Sequence, residues 1–246
     1  MAPLFELDPQ TLLRAYASGI FPMADDRDAP GIYWVEPKLR GILPLDGFHL
    51  SRSLRKLIAS NRYRVTADHA FEDIISLCAE SASDRPETWI NGTIEQSFIR
   101  LHEMGLAHSV EVWDGQRLAG GLYGLALGQA FFGESMVSRA PSASKVALAW
   151  LVARLRVGGF KLLDCQFLTD HLATMGAIEV PRKTYSLLLA GALGFDSAGT
   201  SGPATAAFDA LDRRGAVPDE AVAAPADTVS GPLSGKDIVQ LLSQTS

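Results

Sequence analysis

An α+β fold is what this sequence predicts, and three observations predict it. The chain has 246 residues, 47% of them hydrophobic, enough to bury a sizeable core. Its apolar pattern changes from helical spacing before residue 105 to strict alternation from residue 108. A strand-rich meander is then followed by a helix, one more strand and another helix, the order of an α+β domain.

The elements follow in turn. "DPQTLLRAYASG" places Asp8 as N-cap, Pro9 at the first helical position and Gly19 as the stop. Residues 20–41, crowded with Pro and Gly, are expected to be irregular, with aromatics that pack or bind something. "FEDIISLCAE" and "TIEQSFIRLHEMG" read as helices; in the second, Thr93 and Gln96 have capping-box spacing, Ile94, Phe98 and Leu101 make an apolar stripe, and Gly105 closes the end. "HSVEVW" alternates, Asp114-Gly115 marks a hairpin turn, and "QRLAGGLYGLALGQAFFGESM" supplies further short strands. "SASKVALAWLVARLRVGG" is the next helix, "FKLLDCQFL" a strand, and Thr169 opens a helix that closes near Gly176. Residues 191–246, rich in Ala, Gly, Ser, Pro and Thr, are expected to be a largely disordered acidic tail, with "DIVQLLSQ" as a candidate short helix.

No stretch carries a secretory signal pattern or an apolar run long enough to span a bilayer, so a soluble cytoplasmic protein is the expectation, with no membrane partner. The two cysteines, Cys78 and Cys165, lie far apart in apolar segments and suit buried thiols better than a disulfide or a metal site. The net charge of −6 is uneven: residues 191–246 carry −4, whereas residues 38–64 carry +6. That basic stretch, with Lys38, Arg40, Arg52, Arg55, Lys56, Arg62 and Arg64, is either a solvated surface or a grip on phosphates.

The chemistry-bearing residues are few. Asp164 and Gln166 stand two apart in an apolar strand and so share one face, while Leu163 and Cys165 face the other way. A buried polar pair left without partners costs about 1 to 3 kcal/mol per group, so it either bonds neighbouring backbone or lines a cleft. Glu134, behind Gly133 and two phenylalanines, is either a paired structural ion or a recognition group for a cation. The five histidines lack metal-ligand spacing, and no nucleophile elbow, P-loop or dinucleotide fingerprint occurs.

Together the motifs "GIFPM", "YW" at 33–34, "ETWI", "LHEMGLAHSVEVWDGQRLAGGLYG", "FFGESMVSRAPSASKVAL" and "LLDCQFLTDHLATMGAIEVPR" closely resemble bacterial leucyl/phenylalanyl-tRNA-protein transferases, from about residue 8 to 190. The resemblance implies an aminoacyltransferase that moves Leu or Phe, with Met as a further candidate, from aminoacyl-tRNA to the N-terminal Arg or Lys of proteins, marking them for degradation. It implies a small N-terminal domain, residues 1–45, a larger domain similar to the acetyltransferase (GNAT) fold, residues 46–190, and no metal or organic cofactor. It also implies site roles: Asp164 and Gln166 in catalysis, Glu134 and Trp89 on the substrate, and Trp34 or Trp89 stacking on a terminal base. Here Met23 follows "GIFP", where the family often has tryptophan. The apolar pocket for the transferred side chain would draw on Leu122, Phe131, Met136, Leu151, Leu155 and Leu163, with Ser138 at its edge. Arg40, Arg52, Arg55, Lys56, Arg62 and Arg64 would hold tRNA phosphates without reading sequence; no DNA partner is implied.

Two other classes stay in view. An acetyl-CoA-dependent acetyltransferase would share the fold, yet "SRAPSAS" before the long helix lacks the glycines of a pyrophosphate loop. A noncatalytic RNA-binding module would explain residues 38–64 but not the polar pair in the strand.

Overall fold

The computed structural model describes residues 7–80, 88–194, 206–214 and 233–244. Helix α1 (Pro9–Ala17) starts as expected, the Asp8 carboxylate accepting from the Thr11 N–H at 2.9 Å. The Pro/Gly-rich segment after it is not wholly irregular. It holds an antiparallel hairpin, β1 (Phe21–Met23) and β2 (Tyr33–Val35), where Pro22 is tolerated because a two-stranded ribbon is all edge.

The chain continues through β3 (Leu39–Ile42), α2 (Arg52–Ala59), β4 (Arg64–Ala67), α3 (Phe71–Ala79), α4 (Gly92–Glu103), β5 (Ala107–Asp114), β6 (Arg117–Leu127) and β7 (Ala130–Ser138). Then come α5 (Ala143–Val157), β8 (Leu162–Gln166), α6 (Asp170–Ala173), β9 (Ile178–Pro181), α7 (Arg182–Ala192), α8 (Ala210–Arg213) and α9 (Gly235–Ser243). Asn91 rather than Thr93 caps α4: its Oδ1 accepts from the Ile94 N–H at 3.0 Å, while its amide donates to Ala29 and Gly31 carbonyls of the hairpin loop. One side chain thus starts a helix and ties it to the N-terminal unit.

The main sheet has seven strands in the order β4-β5-β6-β7-β8-β3-β9, all neighbours antiparallel except the parallel pair β7/β8, which α5 connects. Strand β3 lies inside it, although the sequence places those residues before the boundary at 45. Alternation sends Phe131 and Leu163 to a core shared with α2, α5, α8 and α9, and Phe132 and Leu162 to one shared with α1, α3, α4 and α7.

Where it is described, the tail contains the expected short helix, α9, and places apolar residues in the core, which its composition does not foretell. Phe208 stacks on Phe131 and His108 at centroid distances of 5.6 and 4.1 Å, and buried Arg154 donates to Asp212 at 2.7 Å. Ile238 and Leu242 of α9 are buried as well, behind a Ser234/Asp237 capping box. A composition of small residues conceals these few apolar anchors; the remainder of the tail lies outside the described residues. Phe208→Ala should therefore lower unfolding free energy by about 3 kcal/mol in urea titration, as expected for a buried aromatic; an unchanged midpoint would show the tail to be dispensable.

Candidate active site

Strands β7 and β8 pair only over Ala130–Phe132 and Leu162–Asp164. Beyond that point Glu134 on β7 and Gln166 at the end of β8 line a cavity of about 860 Å³. Gln166 has φ 55°, in the left-handed region, which costs a non-glycine residue about 1 to 2 kcal/mol. Two bonds hold this turn: the Phe167 N–H donates to the Cys165 carbonyl at 2.6 Å, and the Gln166 N–H to Asp164 Oδ1 at 2.8 Å. The Gln166 side-chain Nε2 donates to Glu134 Oε1 at 3.1 Å. Its carboxamide oxygen is thereby left without a donor among the described residues, on a side chain that lines the cavity.

Asp164 stands behind this turn and is fully buried. Arg40 Nε donates to both carboxylate oxygens at 2.9 and 3.1 Å, Arg40 Nη2 to Oδ2 at 2.7 Å, and the Tyr185 hydroxyl to Oδ2 at 2.6 Å. Burial opposes the Arg40 charge, but the Asp164 carboxylate outweighs it and holds the guanidinium pKa above its ordinary value. Burial, followed by the Asp164 charge, pushes the Tyr185 hydroxyl well up, so it stays protonated and donates. Arg40 is only 1% exposed. The expectation that it grips tRNA phosphate is therefore corrected: a carboxylate this deep requires a cation, and Arg40 supplies it.

Glu134 is the second buried acid. Burial pushes its pKa up to about 8, with Asp164 adding to the rise and Tyr16 and Arg40 opposing it, so it is largely neutral at pH 7. Among the described residues neither its Oε2 nor the Tyr16 hydroxyl makes a hydrogen bond of ordinary geometry. Cys165 lines the cavity, but burial and the neighbouring Asp164 push its thiol far up, which removes it as a nucleophile.

Of the residues expected in the pocket, Leu122, Met136, Leu151, Leu163, Ser138 and Trp89 line the cavity. Phe131 and Leu155 do not: both point into the core, Phe131 between Phe160 and Phe208. Trp34 lies exposed on β2, outside the cavity lining, whereas Met23 lines it. Arg52, Arg55 and Lys56 are exposed on α2 opposite its buried Leu54 and Ile58. Arg62 pairs with Asp114 at 3.4 Å, and Arg64 lies over the Trp113 ring at 4.9 Å. Among the described residues no group of three or more His, Cys, Asp or Glu is placed to hold a metal ion.

Comparison with known proteins decides the lineage. The family profile "Leucyl/phenylalanyl-tRNA protein transferase" matches residues 42–190, and the profile of that family's N-terminal domain matches residues 5–38. The chain belongs to this family. Relatives that carry the name leucyl/phenylalanyl-tRNA–protein transferase include one from Rhizorhabdus wittichii, 58% identical over 98% of this chain and 99% of the relative. Another, from Zymomonas mobilis, is 64% identical over 73% of this chain and 67% of the relative. A third, from Afipia carboxidovorans, is 48% identical over 98% and 95%. Among solved structures, L-PGS from Bacillus licheniformis aligns with a TM-score of 0.39 at 10% identity, covering 65% of this chain and 53% of that one, too distant to assign a fold.

Three site residues escaped the sequence reading: Tyr16, Tyr185 and Arg40 in its actual role. Only the last left a signal, since Asp164 in an apolar strand already demanded a buried cation. Tyr16 and Tyr185 look like ordinary members of helix stripes and reach the site only through the packing of α1 and α7.

Proposed function

We propose that the cavity receives the leucyl or phenylalanyl side chain of an aminoacyl-tRNA and that a protein N-terminal amine attacks the ester beside Gln166. The observation that carries this reading is the Gln166 carboxamide oxygen, without a donor among the described residues, on a side chain that lines a mainly apolar cavity. At about 860 Å³ that cavity has the size of a small-ligand site. An aminoacyl ester is already activated, and an α-amine with a pKa near about 8 is partly neutral at cellular pH, so positioning dominates. The carboxamide oxygen accepts a hydrogen bond from the attacking amine. The C–N bond forms, the ester C–O bond breaks, and the amine proton passes to the departing ribose oxygen, because a carboxamide is too weak a base to keep it. Asp164, with its acceptors filled by Arg40, Tyr185 and the Gln166 N–H, orients Gln166 rather than the amine.

Acceptors with N-terminal Arg or Lys, a cytoplasmic setting and a role in marking proteins for degradation belong to the same reading. So does an acetyltransferase-like arrangement of the larger domain; the parallel pair β7/β8, joined through α5 within an otherwise antiparallel sheet, supports it. No helix among the described residues is long and apolar enough to cross a membrane. The test is an assay with Leu-, Phe- and Met-tRNA and a peptide beginning with Arg. Transfer of Leu or Phe to the peptide α-amine supports the reading; binding of acetyl-CoA with no transfer contradicts it.

In this reading Arg52, Arg55 and Lys56 meet the acceptor stem. Three phosphate contacts imply a log–log salt slope for tRNA binding of about −2 to −3. Replacing all three by alanine should flatten that slope while leaving transfer at saturating tRNA unchanged; an unaltered slope would move the tRNA surface elsewhere.

A further inference from the structure

Strand β3 presses on the Gln166 turn from behind at two adjacent residues, and neither lines the cavity. At Gly41, an added Cβ would stand 2.6 Å from the Phe167 carbonyl carbon and 2.7 Å from the Leu168 nitrogen, so the turn keeps its shape only against a bare backbone. At Arg40, the guanidinium is layered between the Phe21 and Tyr185 rings, 4.7 and 4.6 Å from their centroids. Its Nη1 donates to the Gly19 carbonyl just past α1 at 3.0 Å, and its other nitrogens donate to Asp164. Asp164 in turn accepts from the Gln166 N–H that holds the left-handed turn. Phe21 meets Phe167 edge-on at 5.7 Å, so the N-terminal hairpin touches the turn as well.

We infer that Arg40 and Gly41 are positioning residues for the transfer reaction: together they aim the Gln166 carboxamide oxygen, and through Gly19 and Phe21 they make the N-terminal unit part of the reaction centre. This rests on the reading of Gln166 given above. The physical reason is that a strained turn on a strand end keeps one geometry only where its surroundings over-determine it. Arg40 fixes the hydrogen-bond side of the turn and Gly41 the steric side. Substrate touches neither residue, so their loss should appear in the chemical step and not in tRNA binding.

The test compares Arg40→Lys, Gly41→Ala and Gln166→Ala singly, and each β3 change combined with Gln166→Ala, by single-turnover transfer and by KM for aminoacyl-tRNA. Arg40→Lys keeps the charge but loses the forked bonding; Gly41→Ala keeps every hydrogen-bonding group and adds only a methyl, so it carries the test should the first variant unfold. Each single variant, checked for folding by circular dichroism, should lose about a hundredfold in rate with KM within about twofold. In the Gln166→Ala background the same changes should cost almost nothing more, because the group they aim is gone. A loss that multiplies in that background, or a KM that rises in step with the fall in rate, overturns the positioning role. A wild-type rate in Gln166→Ala itself overturns the reading of the site and this inference with it, whereas full activity in a folded Gly41→Ala overturns the inference alone.

Discussion

Gln166→Ala is expected to lower kcat for transfer by about a hundredfold while leaving KM for aminoacyl-tRNA within about twofold. In the proposed reading the aminoacyl group binds against the cavity walls, which include Leu122, Met136, Leu151 and Leu163, and the variant leaves all four in place. It removes the acceptor that orients the amine. It also leaves Glu134 Oε1 without its donor, so Gln166→Asn, one methylene shorter, is the informative companion. Its carboxamide should regain only part of the rate, because the oxygen no longer reaches the same point while Glu134 holds the nitrogen. Asp164→Ala is the wrong tool here. It strands the buried Arg40 charge, and breaking such a pair costs about 3 to 5 kcal/mol in stability before catalysis is considered.

The second large effect is on stability. Glu134→Gln should make the protein markedly more stable at high pH and change it little at low pH. The Glu134 carboxyl titrates near 4.5 in the unfolded chain and at about 8 in the folded protein. Between those values the folded state holds the proton that the unfolded state has released, so unfolding free energy falls as pH rises and the loss is complete above about 8. The full shift corresponds to a stability loss of at most about 5 kcal/mol. Glutamine in its place has no proton to release, and it keeps an oxygen for the Gln166 Nε2. Urea unfolding at pH 5, 7 and 9 should show variant and wild type converging at pH 5 and separating by pH 9. Parallel curves across that range would mean that Glu134 is charged and solvated in the folded protein, contrary to its burial.

Much of the fold was legible because local signals and tertiary packing agree along most of the chain. Asp8 caps α1, Asp114-Gly115 turns the β5/β6 hairpin and Thr169 caps α6, all as their spacing requires. Agreement fails where packing decides. Asn91 outcompetes Thr93 as a cap because its amide also satisfies two loop carbonyls. The β1/β2 hairpin is read as irregular because its strands have three residues each, too short for a period to show. In the tail, Phe208 and Ile238 find core positions that composition alone does not reveal.

At the site, the pairing of Asp164 with Gln166 could be read from their separation, since alternate strand residues share a face. The structure alters its meaning: the strand ends at Gln166 in a left-handed turn, so one member lines the cavity and the other is sealed behind it. Pocket residues were partly legible for the same reason. All four candidates share one face of the sheet; Leu122, Met136 and Leu163 border the cavity there, whereas Phe131 is enclosed by Phe160 and Phe208, which alternation does not show. The charge run at 38–64 misled at Arg40 because a sum over a stretch treats a strand residue and a helix surface alike.

The most direct measurement is a crystal structure of the protein with a hydrolysis-resistant amide analogue of 3′-leucyl-adenosine. The leucyl side chain is expected among Leu122, Met136, Leu151 and Leu163, with the carbonyl carbon facing the Gln166 side-chain oxygen across a gap that an amine fills. An analogue bound with its carbonyl turned away from Gln166, or seated outside the opening between β7 and β8, would contradict the proposed reading.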